Sequence, residues 1–261
     1  MTKIYKKKGI CIWCLKSGKE TSFLTKPHTI PKKLNAHNIG FDICDECNKY
    51  FGYDNNEERI KYSIDKITKE ILNVHKFLLS NKKNSNSWRN FKSQFFNYYH
   101  SENMLKFRIY YRKNIGFEEA FTKKFKRGIY NIFLQEYHRN TENGLDKQFD
   151  ALRAFVRYGI GNFPLYYLKN RKGIRITEDL DMPMKFSFNQ HVQNIIQQFG
   201  FYHMTLKGLN FFISVNEKAF QNIDNYLLPE CKYLMGSGFV FDQLITIKRI
   251  SQIDFTTQDW D

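Results

Sequence analysis

The chain has 261 residues, of which 42% are hydrophobic and 17% aromatic, with 25 Phe and 16 Tyr. That content of large apolar groups excludes a disordered chain and is ample to build a core. No apolar run approaches the roughly 18 residues that a membrane-spanning helix needs, and the formal charge is +15.

The charge is unevenly spread. Residues 1–140 hold 28 Lys and Arg against 13 Asp and Glu, and residues 141–261 hold 13 of each. An AT-rich genome would favour lysine codons along the whole chain and would not leave the second half neutral. The asymmetry points to an anionic partner for the first half. Nucleic acid is the expected one, DNA first and RNA as the alternative. Residues 1–8 are basic, with no apolar stretch behind them to make a secretory signal, so a cytoplasmic setting is expected.

Cys11 and Cys14 form one C-x-x-C pair, and Cys44 and Cys47 form a second. Each pair can bring two thiolates to one ion, and together they make a tetrahedral sulfur site for structural zinc. A disulfide framework suits a secreted chain, and a thioredoxin-like redox motif would leave the second pair unexplained. Residues 9–50 have few aliphatic side chains, so metal binding would supply folding energy that this segment lacks. Four sulfur ligands leave no open position, which makes this zinc structural and not catalytic. Cys231 stands alone and reads as a buried apolar thiol.

Between the pairs runs Thr25-Lys-Pro-His28-Thr-Ile-Pro31-Lys-Lys, and the second pair continues as Cys47-Asn48-Lys-Tyr-Phe-Gly52. In this order of motifs, residues 9–55 resemble the HNH endonuclease superfamily with its ββα-metal fold. The form is the one in which two C-x-x-C knuckles bracket an H-x-I-P motif and Asn follows the last cysteine. The resemblance implies a zinc-bound module that hydrolyses DNA phosphodiester bonds. It places His28 as the general base that activates water, and Asn48, at the opening of a helix, as a ligand of one catalytic Mg²⁺ or Mn²⁺. Pro27 stands where many members carry a metal-binding Asp or Glu. Another carboxylate would then complete the site, with Asp42, Asp45, Glu46, Asp54 and Glu57 nearest, Asp54 the first choice, and His37 a further ligand candidate. The Asn that orients the base has no clear counterpart; Asn38 lies farther from Cys44 than the family position does. Lys32 and Lys33 directly follow the motif and are candidate nucleic-acid contacts.

Residues 56–79 read as one helix. Ile60, Ile64, Ile67, Ile71, Val74 and Leu78 form an apolar stripe, supported by the pairs Glu57–Lys61 and Asp65–Lys69. The stripe suits packing against the second half or a homodimer seam. Residues 81–87 are polar and read as a linker or exposed loop. Residues 88–113 interleave Trp88, Phe91, Phe95, Phe96, Tyr110 and Tyr111 with Lys and Arg. That mixture fits a core with solvated charges, or a surface that stacks on bases. Helices follow over 116–139 and near 145–158. At least two of Lys123, Lys124, Lys126 and Arg127 are expected to face outward.

After Gly161 the pattern turns strand-like at 163–168, 184–188, 211–215 and 239–247, with short helices at 192–199 and 219–228 and a turn at 203–208. The second half shows no phosphate loop, catalytic carboxylate pair or nucleophile elbow. The expected fold class is α+β in three parts: an HNH-like zinc module over 1–55, a helical segment over 56–160, and a mixed α+β sheet domain over 161–261. Two other readings of the whole chain stand beside the nuclease. One is a non-catalytic zinc-knuckle protein that binds nucleic acid. The other is a protein-interaction subunit of a larger complex, held through the second half.

Overall fold

In the computed structural model the described residues are 3–30, 38–56, 58–80, 90–102, 104–171, 184, 186–236 and 240–254. Pro31, Lys32, Lys33, His37, Glu57 and Trp88 lie outside them, as does the polar segment 81–87. The second knuckle opens helix α1 (Asp45–Gly52): Cys44 is its N-cap, and Asp45 and Glu46 stand in the first turn, where the helix dipole favours negative charge.

Helix α2 (Ile64–Ser80) begins later than the periodicity suggests. Ser63 caps it, its Oγ accepting the Lys66 amide at 3.2 Å, while Asp54 Oδ1 accepts the Ser63 amide at 2.9 Å. Caps of this kind fix a helix start more sharply than hydrophobic spacing does. Residues 53–56 and 58–62 therefore belong to a connector, from which Ile60 joins the stripe. All six stripe residues are buried, and α2 packs on the long helix α4 (Phe117–Thr141).

Between them, β1 (Phe96–Tyr99) and β2 (Met104–Phe107) pair antiparallel, and α3 (Ile109–Arg112) is one turn of helix. Phe95, Phe96 and Tyr111 are core residues of this segment, and Tyr110 points out with 75% exposure.

Helix α4 is buried on almost every side over Phe121–His138, with only Lys123 exposed in that stretch. The expectation that two or more of its four clustered basic residues face outward is therefore wrong. Lys124 donates to the carbonyls of Ile60 and Tyr62 and pairs with Glu58 at 2.7 Å. Lys126 donates to Asn162, and Arg127 to Val156 and to the Tyr50 hydroxyl. Loop carbonyls and hydroxyls satisfy these heads, so burial does not leave them bare. Gly128 lets α2 approach closely, since a Cβ there would lie 1.8 Å from Thr68 Oγ1.

The third helical stretch joins a 3-10 turn (Lys147–Phe149), α5 (Asp150–Arg153) and a π-turn (Ala154–Tyr158). Beyond it come β3 (Leu165–Asn170), α6 (Gln190–Phe199), β4 (Phe201–Leu206), β5 (Leu209–Ser214), α7 (Lys218–Gln221), α8 (Leu228–Gly236) and β6 (Phe241–Thr246). The sheet is antiparallel throughout, in the order β4-β5-β3-β6. Residues 203–206 belong to a strand, and the turn is only Lys207-Gly208, both at positive φ (52° and 84°), as a tight hairpin requires. Met184 and residues 186–188 are not in a strand.

Alternation sorts the sheet faces. Leu165, Tyr167, Phe211 and Ile213 join the core built on α4, whereas Tyr166, Leu168 and Phe212 pack with Leu227 and Cys231 beneath α8. The first of these cores is continuous from Cys11 in the first knuckle to Ile253. The fold is thus mixed α+β with a four-cysteine cluster at its N-terminal end. Among the described residues no helix is long and apolar enough to cross a membrane.

Candidate metal centre and adjoining cleft

The two knuckles meet. The Sγ atoms of Cys11, Cys14, Cys44 and Cys47 all lie within 4.8 Å of one another, and Cys14 Sγ is 3.7 Å from Cys44 Sγ. A tetrahedral zinc with Zn–S bonds of about 2.3 Å separates its sulfurs by about 3.8 Å. Backbone amides already point at the sulfurs: Cys44 N donates to Cys11 Sγ and Cys47 N to Cys44 Sγ, each at 3.4 Å. Hydrogen bonding among the thiols drives their proton affinities apart, Cys11 up to about 12 and Cys44 far down. Four thiolates this close need a cation between them, and the all-sulfur donor set fits zinc.

Two arginines of the third helical stretch brace this cluster. Arg153 Nε donates to Ile12 O at 2.7 Å inside the first knuckle, and its other nitrogen binds Gly144 O at 2.6 Å. Arg157, from the π-turn, stacks its guanidinium 3.8 Å over the Tyr50 ring, and the neighbouring Cys47 sulfur raises its proton affinity against burial. A third brace is Asp42, fully buried before the second knuckle. Burial would raise its pKa, but hydrogen bonds from His138 and from the amides of Lys8, Gly9 and Lys7 hold it down at about 2.

The segment carrying His28 folds back on itself. His28 bridges Ile39 in antiparallel fashion, Thr29 N donates to Asn38 O, and Gly40 N donates to Pro27 O. Glu136, wholly buried on α4, clamps this bend: one carboxylate oxygen accepts Thr29 Oγ1 and Asn38 Nδ2, and the other accepts Arg139. Asn38 thus supports the His28 bend through α4 and not through the imidazole. The His28 ring has Nδ1 3.2 Å from Lys26 O. A carbonyl can only accept, so Nδ1 carries a proton, and the neutral form of the ring has its lone pair on Nε2.

His28 and Asn48 line one cleft of about 460 Å³ between the zinc module, α2 and α4. Lys26, Lys66 and Lys69 line it too, and so does one carboxylate, Asp65. Asp65 stands in the first turn of α2, with Oδ2 3.9 Å from the position of a Cβ on Gly52. Burial pushes its carboxyl up to about 7. No ion pair or side-chain hydrogen bond of the Asp65 carboxylate occurs among the described residues.

The other carboxylates near the knuckles are engaged elsewhere. Asp54 is exposed and holds Ser63 N and, at 2.9 Å, Lys66 Nζ, and it does not line the cleft. Asp45 binds Ser22, Leu24 and Thr25, and Glu46 pairs with Lys16. Asp65 escapes sequence reading because its spacing to Lys69 looks like an exposed helical ion pair. Only the late start of α2 puts it at the helix mouth. The cleft thus presents an imidazole, a side-chain amide and a carboxylate. The four cysteines remain the only cluster of three or more Cys, His, Asp or Glu with converging donor atoms among the described residues. Compared with protein-family models, curated proteins and solved structures, the chain matches none.

Proposed function

We propose that the protein is a metal-dependent endonuclease of the HNH type, with a structural zinc and a separate hydrolytic cleft. One observation carries this reading: His28, Asn48 and the unpaired carboxylate of Asp65 line the same cleft, beside the four-cysteine cluster. A bound Mg²⁺ or Mn²⁺ would stabilise the charge that develops on the leaving oxygen. Asn48 and Asp65 would hold it, so Asp65 takes the part that Pro27 cannot play. His28 takes a proton from water on Nε2, while Lys26 O keeps Nδ1 protonated and the ring oriented. Lys26, Lys66 and Lys69 draw the phosphate into the cleft.

The test is plasmid nicking in Mg²⁺, Mn²⁺ or Ni²⁺. Wild type should cut, and His28→Ala should not cut, while zinc content and DNA affinity stay near wild type, since a general base adds little to ground-state binding. Cutting that survives His28→Ala would remove the mechanism. DNA binding without cutting in any of these metals would leave a zinc-knuckle binding protein, the reading that Pro27 favours.

A further inference from the structure

Two clefts lie near the connector between α1 and α2. Gly52, Asp65 and Lys66 line the first, and residues 58–62 line a second of about 270 Å³ together with Tyr110 and Tyr111. The two adjoin at Tyr62, which lines the second cleft while Lys66 Nζ, from the first, lies 4.8 Å over its ring. Lys61 Nζ lies 5.6 Å from the same ring centroid. Tyr62 and Tyr111 are joined by their hydroxyls at 2.9 Å and fixed against Phe95, so they form the floor. Tyr110 is different: its ring stands at 81° to that of Tyr111, with centroids 5.2 Å apart, and at 75% exposure it is open to solvent.

The charges suit a polyanion. Glu58, the carboxylate on this cleft, is paired with Lys124 at 2.7 Å. Arg59, exposed at the rim, donates to Ile115 O, and Lys61 is exposed. An open aromatic face among cations, beside the cleft of His28, matches the chemistry that holds unpaired bases. A duplex presents no free base face and cannot use it.

We propose that this second cleft binds single-stranded polynucleotide, with one base stacked on Tyr110 and the adjoining phosphates drawn by Arg59 and Lys61. The proposal deepens the nuclease reading, on which it rests for the strand's continuation toward His28, by adding a subsite for the unpaired part of a polynucleotide substrate.

The experiment measures fluorescence anisotropy of zinc-loaded, full-length His28→Ala protein, which should bind without cutting. The probes are labelled oligonucleotides of about 20 residues, as single-stranded DNA, single-stranded RNA and duplex DNA, at fixed salt. Adding Tyr110→Ala should weaken single-strand binding about 5- to 100-fold, the worth of one stacked base. Duplex binding should change less than about 2-fold, and Tyr110→Phe should restore the single-strand affinity. The DNA and RNA probes decide which strand is preferred. Unchanged single-strand affinity in Tyr110→Ala, an equal loss on duplex, or no single-strand binding at all would overturn the proposal. Plasmid cutting by wild type is scored separately, so failure of the groove and failure of the nuclease reading give different results.

Discussion

His138 Nε2 donates to Asp42 Oδ2 at 3.0 Å, with neither side chain exposed to solvent. The direction is fixed from the other side of the ring, where Nδ1 accepts the Gly144 amide at 3.1 Å. The imidazole is therefore neutral, and it ties the last turn of α4 to the loop that leads into the second knuckle. His138→Ala should destabilise the protein by about 2–4 kcal/mol, from a lost hydrogen bond to a charged group and the cavity left behind. Urea unfolding of the zinc-loaded protein measures this, and a change below about 1 kcal/mol would contradict the brace.

The four cysteines form one all-sulfur site. The chain should bind one zinc, and Cys14→Ser should lose it, because three sulfurs cannot complete the tetrahedron. Metal analysis together with limited proteolysis checks this. The segment before α2 should become protease-sensitive while the sheet of β3 to β6 stays protected.

Arg157 should matter to the zinc through charge. Its guanidinium offsets the negative charge on Cys47 and is held in place by Tyr50. Arg157→Gln should weaken zinc retention about tenfold or more against a chelating dye, and Arg157→Lys should recover part of the loss. Equal behaviour of Lys and Gln would show that packing on Tyr50, and not charge, is what counts.

Asp65 gives a pH signature. Its folded-state pKa of about 7 lies above the ordinary 3.8. A carboxyl raised in this way binds its proton more tightly when folded, so its contribution to stability falls as pH rises from about 4 to 7 and stays low above that. Asp65→Asn should therefore raise the melting temperature clearly at pH 8 and little at pH 5. Mn²⁺ should raise the melting temperature of wild type at pH 8 and not that of Asp65→Asn. A mutant that melts like wild type at both pH values would show that the carboxylate is well solvated.

Gly128 is a contact point between the long helices. A Cβ there would meet Thr68 Oγ1 at 1.8 Å and Thr68 Cβ at 3.0 Å. Thr68 is buried and its hydroxyl donates to Ile64 O, so it has little room to turn aside. Gly128→Ala should cost about 1–3 kcal/mol despite the better helix propensity of alanine, as overpacking does. Thermal unfolding decides between the two effects, since a stabilised mutant would mean that the helices separate freely.

The local features of this protein were legible in its residues. Four cysteines in two C-x-x-C pairs read as a single sulfur cluster, because the reach of each hairpin is set by covalent geometry over a few residues. The stripe from Ile60 to Leu78, the long helix over 116–139 and most of the strands after Gly161 follow from periodicity, which is also local. His28 and Asn48 could be singled out, and the fold brings both to one cleft. What periodicity could not supply was burial on a helix's second face. Lys124, Lys126 and Arg127 look like a solvated stripe, and only the packing of loops around α4 supplies the carbonyls that bury them. The same limit hid Asp65. Whether a carboxylate at the start of α2 faces open water or the cleft of His28 depends on where Ser63 caps the helix and on how α2 crosses α4 at Gly128. Both are set by contacts between segments far apart in sequence, so the sequence determined which groups were available, and the tertiary structure decided which of them meet.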